Sequence, residues 1–262
     1  EKLFKKYPNH AIVSAPEEEI KSEIEKMRKA CKITGDTLKL IEKHIRPGVS
    51  TEQLDKIAHD YIISRGATPS CLHYEGYPKS ICASVNDAVV HGIPNKSIVL
   101  AEGDIISIDL TAYKDGYHGD AARTFAVGKI SDEAQRLIDV TKESFFEGIK
   151  YAVHGAKLGD VSAAIQEYVE KNGYSVVRDL GGHGIGREMH EDPFIPNFGR
   201  RGHGLRLAAG MTLAIEPMVN AGAYGVCVLD DDWTVVTEDG SLSAHYENTV
   251  LIKKTECEIL TL

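Results

Sequence analysis

Four acidic residues and one histidine stand where charge is costly and a metal ion would offset it. The first two lie in the run Asp104–Phe125, where Asp115-Gly116 predicts a two-residue hairpin turn. That turn sets Thr111 opposite Asp120. Strand alternation then puts Ser107, Asp109 and Thr111 on one face and Ile106, Ile108 and Leu110 on the other. Asp109 becomes the diagonal neighbour of Asp120, about 7 Å away or less at Cβ. Carboxylates that close repel and resist ionising together, so something positive is expected between them. Taken alone, the hairpin fits equally well a pair of surface acids, with Asp109 meeting Arg123 or Lys114 at a wet strand end.

An internal repeat changes that balance. Leu100–Asp109 aligns without a gap on Leu207–Glu216, an offset of 107 that also carries Gly48 to Gly155, Tyr61 to Tyr168 and Gly66 to Gly173. Glu216 thus takes the place of Asp109 inside an equally apolar strand containing Leu213 and Ile215. Glu247 stands where the second strand of that half should return. A carboxylate inside an apolar strand is expensive unless it is matched. His183, flanked by glycines in Gly181-Gly-His-Gly-Ile-Gly186, permits close backbone approach and reads as a ligand or catalyst. Four carboxylates and an imidazole suit a dinuclear site for Mn, Fe, Co or Zn, which acidifies a shared water for hydrolysis. Asp230-Asp-Asp232 differs, because three consecutive acids point in different directions. They predict a solvated hairpin tip.

The elements that must hold these residues are legible in the same repeat. Ser14-Ala-Pro16 followed by three glutamates predicts a helix start, with apolar positions at Ile20, Ile24, Met27, Ile33, Leu38 and Ile41 and a stop at Pro47-Gly48. Ser50-Thr-Glu-Gln53 is a capping box for a second helix ending near Gly66. The second half repeats the pair from Ser131 to Val153 and from Asp160 to Asn172, with Gly173 as the stop. Short strands joined by tight turns, without a βαβ rhythm, predict an α+β fold around a largely antiparallel sheet. The expected organisation is an N-terminal extension over residues 1–13 and one catalytic domain over 14–262, with half-repeats at about 14–129 and 130–262.

Composition narrows the classes further. The chain has 262 residues, 30 Lys+Arg against 39 Asp+Glu, and a net charge of −9. That argues against nucleic-acid recognition in its own right, which needs a basic surface. No apolar run reaches the length of a membrane span, and the N-terminus lacks the apolar stretch of a secretory signal. Five cysteines without a CxxC pair predict reduced thiols and a cytoplasmic location. HExxH, GxSxG, P-loop and dinucleotide fingerprints are missing, leaving zincin, serine-hydrolase and nucleotide-dependent readings without support.

Asp109, Asp120, His183, Glu216 and Glu247, in that order and spacing, resemble the metal ligands of the type I, bacterial-type methionine aminopeptidases of the pita-bread metallopeptidase superfamily. The resemblance runs from about Pro16 to Leu260. It is carried by Gly76-Tyr-Pro-Lys-Ser80, His91-Gly-Ile-Pro94, Lys114-Asp-Gly-Tyr-His-Gly-Asp120, Gly182-His-Gly-Ile-Gly-Arg187, His190-Glu-Asp-Pro193 and Ala214-Ile-Glu-Pro-Met-Val219. It implies a duplicated pita-bread fold whose halves are related by a pseudo-twofold axis.

It implies further that Asp109 binds one of two divalent ions (Co, Mn, Fe or Zn), His183 and Glu216 the other, and that Asp120 and Glu247 bridge them. Glu216 is then the general base for attack by a metal-bridging water. By the same resemblance His91 serves the scissile nitrogen and His190 the substrate carbonyl, and with Cys71, Tyr74, Tyr77, Cys82, Met189 and Trp233 they line the methionine pocket. Met189 departs from the aromatic residue often found there. A monovalent cation is implied near Asn86 and Ser243. The implied substrates are N-termini of nascent polypeptides with a small second residue; the implied setting is a cytoplasmic monomer with a ribosome contact and no membrane. Two rivals stand beside this reading. One is a proline-specific aminopeptidase or dipeptidase of the same fold, expected to carry a large extra N-terminal domain that some 13 leading residues cannot supply. The other is a catalytically inactive pita-bread module that binds peptides, expected to have lost ligands that are all in place here.

Overall fold

Residues 17–262 are described by a computed structural model, with side chains from Lys21 onward. The extension over residues 1–13, the helix start at Ser14–Pro16 and the side chain of Ile20 lie outside the described residues. The first half opens with α1 (Glu17–Glu42) and α2 (Thr51–Ser64). Ser50 caps α2 as its motif predicts: its hydroxyl accepts the Gln53 N–H, and the Gln53 side chain accepts the Ser50 N–H at 2.9 Å. In the second half, α3 (Asp132–Ile149) starts on a Ser131 cap, and α4 spans Leu158–Lys171.

Three predicted boundaries need correction: the first is α1, which ends at Glu42, short of Pro47-Gly48, in turns closed by His44 N–H to Ile41 O and Ile45 N–H to Glu42 O. The chain leaves α3 at Ile149, not Val153, through tight turns closed by Tyr151 N–H to Gly148 O and Ala152 N–H to Ile149 O. Helix α4 begins at Leu158 because Asp160 is its third residue, not its cap; the Asp160 carboxylate reaches back to the Lys157 N–H at 3.0 Å.

The strands are β1 (Thr68–Pro69), β2 (Cys82–Val85), β3 (Ala88–Val90), β4 (Ile105–Lys114), β5 (Tyr117–Ala126), β6 (Ser175–Val176), β7 (Gly181–Gly184), β8 (Glu191–Pro196), β9 (Thr212–Ile215), β10 (Met218–Asn220), β11 (Val226–Val228), β12 (Val235–Thr237), β13 (Ser243–His245), β14 (Glu247–Ile252) and β15 (Cys257–Ile259). Every strand pairing among the described residues is antiparallel. The main sheet has the order β1-β4-β5-β14-β9-β7-β8, with β2 beside β4 and β15 beside β14. Its central pair, β5 and β14, comes from the two halves.

The duplication survives in detail. An offset of 107 carries the Ser50–Val99 bridge onto the Lys157–Arg206 bridge. It also carries the 2.8 Å bond from Gly48 N–H to Leu100 O onto an equal bond from Gly155 N–H to Leu207 O. Gly48 and Gly155 share φ values of 89° and 88°, a left-handed conformation that favours glycine.

Each half buries its own helices against one face of the sheet. Leu38, Ile41, Leu54 and Ile62 pack on Ile106, Ile108 and Leu110, while Phe145, Val161 and Ile165 pack on Leu213, Ile215 and Val250. Helix α1 lies so close to β5 that a Cβ on Gly119 would meet the Cys31 backbone at 2.5 Å. We expect Gly119→Ala to lower unfolding stability by about 2 kcal/mol or more, measured by urea denaturation; an unchanged midpoint would contradict this packing.

Candidate active site

The opposite face of the sheet carries the predicted residues, and the register explains why they meet. Thr111 pairs with Asp120 and Asp109 with Ala122, as the Asp115-Gly116 turn predicts. Ala122 also pairs with Glu247, and Asn248 with Ile215, so the next step of that ladder sets Glu247 beside Glu216. Asp109, Ala122, Glu247 and Glu216 therefore form one row across β4, β5, β14 and the end of β9. Asp120 lies two residues from Ala122 on the same face. His183 on β7 pairs with Ala214, two residues before Glu216, and so shares that face as well. Five adjacent strands each deliver one functional group. Ala122, fully buried in the middle of the row, leaves the space that a larger side chain would fill.

The geometry is tight. His183 Nε2 lies 3.7 Å from Asp120 Oδ2 and 3.6 Å from Glu216 Oε1. Ligand atoms of Asp120, His183 and Glu247 all fall within 4.8 Å of one another. His183 Nδ1 meets Gly184 O at 2.9 Å, which fixes the ring and turns Nε2 toward the carboxylates. Glycines allow this approach: a Cβ on Gly182 would stand 2.1 Å from Ala214 O.

Desolvation dominates the electrostatics. Burial, then the charge of Asp120, pushes Asp109 well above the ordinary carboxyl range and raises Glu216 in the same way. Burial pushes Asp120 up to about 7, and burial followed by Asp120, Glu216 and Asp109 raises Glu247. Burial also lowers His183 to about 4, leaving a neutral imidazole. Oδ1 of Asp120 has no hydrogen-bond partner among the described residues. An orphaned carboxylate oxygen, three further carboxyl groups and a neutral imidazole form the oxygen-and-nitrogen donor set that borderline divalent ions take. The residues present fit the predicted pair of ions.

A cavity of about 480 Å³ opens above this floor. Cys71, Tyr74, Tyr77, Cys82, Met189 and Trp233 line it, and His91 and His190 face it. Tyr77 is held by its hydroxyl, 3.0 Å from Ile81 O and 3.1 Å from Gly92 O, and stands edge-on to Trp233. A hydrogen bond with Cys71, then burial, pushes the Cys82 thiol well above its ordinary value and keeps it neutral. His91 sits at the end of β3 with φ 59°, a left-handed conformation that is strained for a side-chain-bearing residue and aims the ring inward. Burial lowers its pKa to about 4. His190 Nδ1 lies 2.9 Å from the Tyr74 hydroxyl, with its ring 4.3 Å from that of His183.

Not every residue falls in this cluster. Asp231 accepts the N–H groups of Trp233 and Thr234, so the Asp230–Asp232 run forms a hairpin tip between β11 and β12, as predicted. Asn86 and Ser243 meet away from the cluster through Ser243 N–H and Asn86 O at 3.0 Å. Their side chains serve protein partners: the Asn86 amide binds Asp104 and the Ile105 N–H, and the Ser243 hydroxyl binds Asn220 Oδ1.

Sequence reasoning missed two contributors. His245 is almost fully buried, 3.5 Å from Glu216 Oε2, with neither ring nitrogen hydrogen-bonded. Strand parity could have found it, since it precedes Glu247 by two residues as His118 precedes Asp120. The bond from Tyr74 to His190 carries no local signal, because 116 residues separate the partners.

Residues 25–254 match the family described as metallopeptidase family M24, and the chain belongs to it. The methionine aminopeptidase of Clostridium acetobutylicum is 60% identical over 241 residues, 92% of this chain and 96% of that protein. A solved methionine aminopeptidase from Rickettsia prowazekii superposes with a TM-score of 0.92 at 45% identity, covering 98% of this chain and 100% of that one. Within the metallopeptidases, then, the chain is a member of the type I methionine aminopeptidases. The prolidase of Pyrococcus furiosus, at 22% identity and a TM-score of 0.73 over 92% of this chain and 64% of its own, shares the fold alone.

The shifted groups set a pH dependence. Raised carboxyl pKa values mean that the metal-free fold retains protons the unfolded chain has released. Its stability therefore falls as pH climbs from the ordinary carboxyl range through the folded values. His91, His118, His183, His190 and His245 act oppositely, because burial lowers each of them from 6.5. Their contribution grows with pH until the unfolded imidazoles are neutral, near pH 6.5. Above that point the carboxyl effect stands alone. We expect the melting temperature of chelated protein to fall between about pH 6.5 and 8, and saturating Mn²⁺ to abolish the fall; a flat profile in chelator, read by calorimetry, would contradict the repulsion at this site.

Proposed function

We propose that this chain removes N-terminal methionine from nascent proteins and peptides whose second residue is small, in the cytoplasm. The observation that carries the reading is a pocket whose thiols, aromatic rings and Met189 make one wall above a floor of four carboxyl groups and a neutral histidine, with further acids (Glu75, Glu191, Asp192, Asp232) also lining the cavity. Thiols and aromatic rings suit an unbranched thioether and offer nothing to a charged side chain. Asp109, Asp120, His183, Glu216 and Glu247 would hold the divalent ions. Bound there, such ions supply a Lewis acid for the scissile carbonyl and a nucleophile active at neutral pH.

The remaining work falls to this chain's own residues. Glu216, at the end of β9 and 3.6 Å from His183 Nε2, takes the proton of the attacking water. His190 donates its Nε2 proton to the carbonyl oxygen as negative charge develops there. The Tyr74 hydroxyl supports this by donating to Nδ1, which fixes the tautomer that leaves a proton on Nε2. Burial lowers the His190 pKa to about 2, so it works as a neutral donor and does not repel the metal site. His91 donates a proton to the scissile nitrogen as the C–N bond breaks, and the proton that Glu216 took from the water restores it, so the amine leaves neutral and the acid remains as carboxylate. Met189, buried in the pocket wall, supplies a flexible surface against the substrate thioether.

A Met-Ala-Ser peptide should lose its methionine only when a divalent ion is present, while a Met-Lys-Ser peptide resists. Cleavage that survives exhaustive chelation, followed by chromatography of free methionine, would refute the metal-dependent reading. His183→Ala and Glu216→Gln should each abolish turnover. Tyr74→Phe should lower kcat about tenfold or more with little change in KM, and equal kcat in Tyr74→Phe and the unaltered enzyme would remove Tyr74 from the mechanism.

A further inference from the structure

The hairpin of β11 and β12 belongs to a three-stranded sheet in which β11 is an edge. Val226 pairs with Thr237, Cys227 with Val236 and Val228 with Val235. Leu229 N–H donates to Thr234 O at 2.8 Å and Glu238 N–H to Gly225 O at 3.1 Å, which fixes the hydrogen-bonded rungs at Gly225, Cys227 and Leu229. The N–H and C=O groups of Val226 and Val228 consequently point away from β12, to a side where no described strand pairs with them. Edge strands are usually blunted by a lysine, a proline or a bulge. Val226–Leu229 has none of these and leaves Val228 60% and Leu229 45% exposed.

The position of this edge gives it a use. The Val228 side chain lines the methionine pocket together with Trp233 and Asp232 from the same hairpin, so the open ladder begins at the pocket mouth. We infer that the free edge of β11 receives the substrate's polypeptide beyond its second residue as an added antiparallel or parallel strand. The inference rests on the proposed aminopeptidase reading and extends that site. Its ligand is an extended, unfolded polypeptide recognised by its backbone, the chemistry of β-augmentation. Backbone recognition is indifferent to side-chain identity, as suits an enzyme whose substrates share only their first residue and a small second one.

Substrates of increasing length test this on the unaltered, Mn²⁺-loaded enzyme. Between Met-Ala-amide and the peptide Met-Ala-Ser-Ala-Ser-Ala, KM should fall about tenfold while kcat stays nearly constant. Moving a single N-methyl group along the backbone from the third residue to the sixth should raise KM at every second position, because a strand presents alternate amides to its neighbour. Val226→Pro removes one outward N–H without breaking a rung to β12, as an edge strand tolerates. It should raise the KM of the long peptide severalfold toward that of the short amide and leave the KM of the short amide unchanged. Equal kcat/KM at all lengths, or an N-methyl penalty without alternation, overturns the inference while leaving the aminopeptidase reading intact. Failure to cleave any of these substrates overturns both. If Val226→Pro does not fold, the N-methyl series on the unaltered enzyme decides the matter.

Discussion

The repulsion among four carboxyl groups crowded onto one face of a β-sheet is the constraint around which the rest is arranged. Apolar strands deliver them from both halves of the chain, and desolvation raises every one of their pKa values. Protein cations relieve this crowding little. Arg123, which does bear on Glu247, commits its guanidinium to the carbonyl oxygens of Ala122 and Glu247 and to Asn248 Oδ1, and stacks on Tyr246. It braces the backbone of β5 and β14 and leaves the inner face to the acids. A cluster of this kind is poised to exchange protons for divalent ions, which links folding, metal binding and pH in one equilibrium.

The scaffold meets that constraint by rigidity. Thr249 on β14 both accepts the Asp120 N–H and donates to Asp120 O, at 2.9 Å in each direction. Thr34 on α1 donates to Gly119 O at 2.6 Å and accepts the Ala112 N–H, tying the helix to both strands of the hairpin. Asn197 holds the carbonyl of Glu216. These bonds involve backbone groups next to the functional side chains, so ligand positions are set by the sheet and not by flexible loops.

Much of this was legible in the sequence because strand chemistry is periodic. The Asp115-Gly116 turn specified the register of β4 and β5 residue by residue, and the repeat then transferred Asp109 onto Glu216. The same logic faltered where local signals are ambiguous. Asp160 looks like a helix cap but acts from the third position of α4, because Lys157 offers no capping oxygen and leaves its own N–H to be satisfied. His245 escaped notice because its importance comes from a neighbour 29 positions away, Glu216, that only the folded sheet brings to it. The Tyr74–His190 pair belongs to the same group: it joins a turn in one half to a strand end in the other.

The two halves are not equal where they matter most. Asp109 and Asp120 are joined by a short hairpin, whereas the chain between Glu216 and Glu247 is about twenty residues longer and contains β10 to β13. The duplicated sheet supplies the ligand positions symmetrically, and this one excursion supplies Trp233 and Val228 on one side of the cavity. The excursion thus completes a pocket whose other walls come from the first half (Cys71, Tyr74, Tyr77, Cys82) and from Met189, and it returns through His245 to the metal-site face. Because β10 pairs with β6 and β12 with β3, this inserted stretch is fastened to both halves, so the asymmetry of the cavity is as rigidly held as the symmetry of its floor.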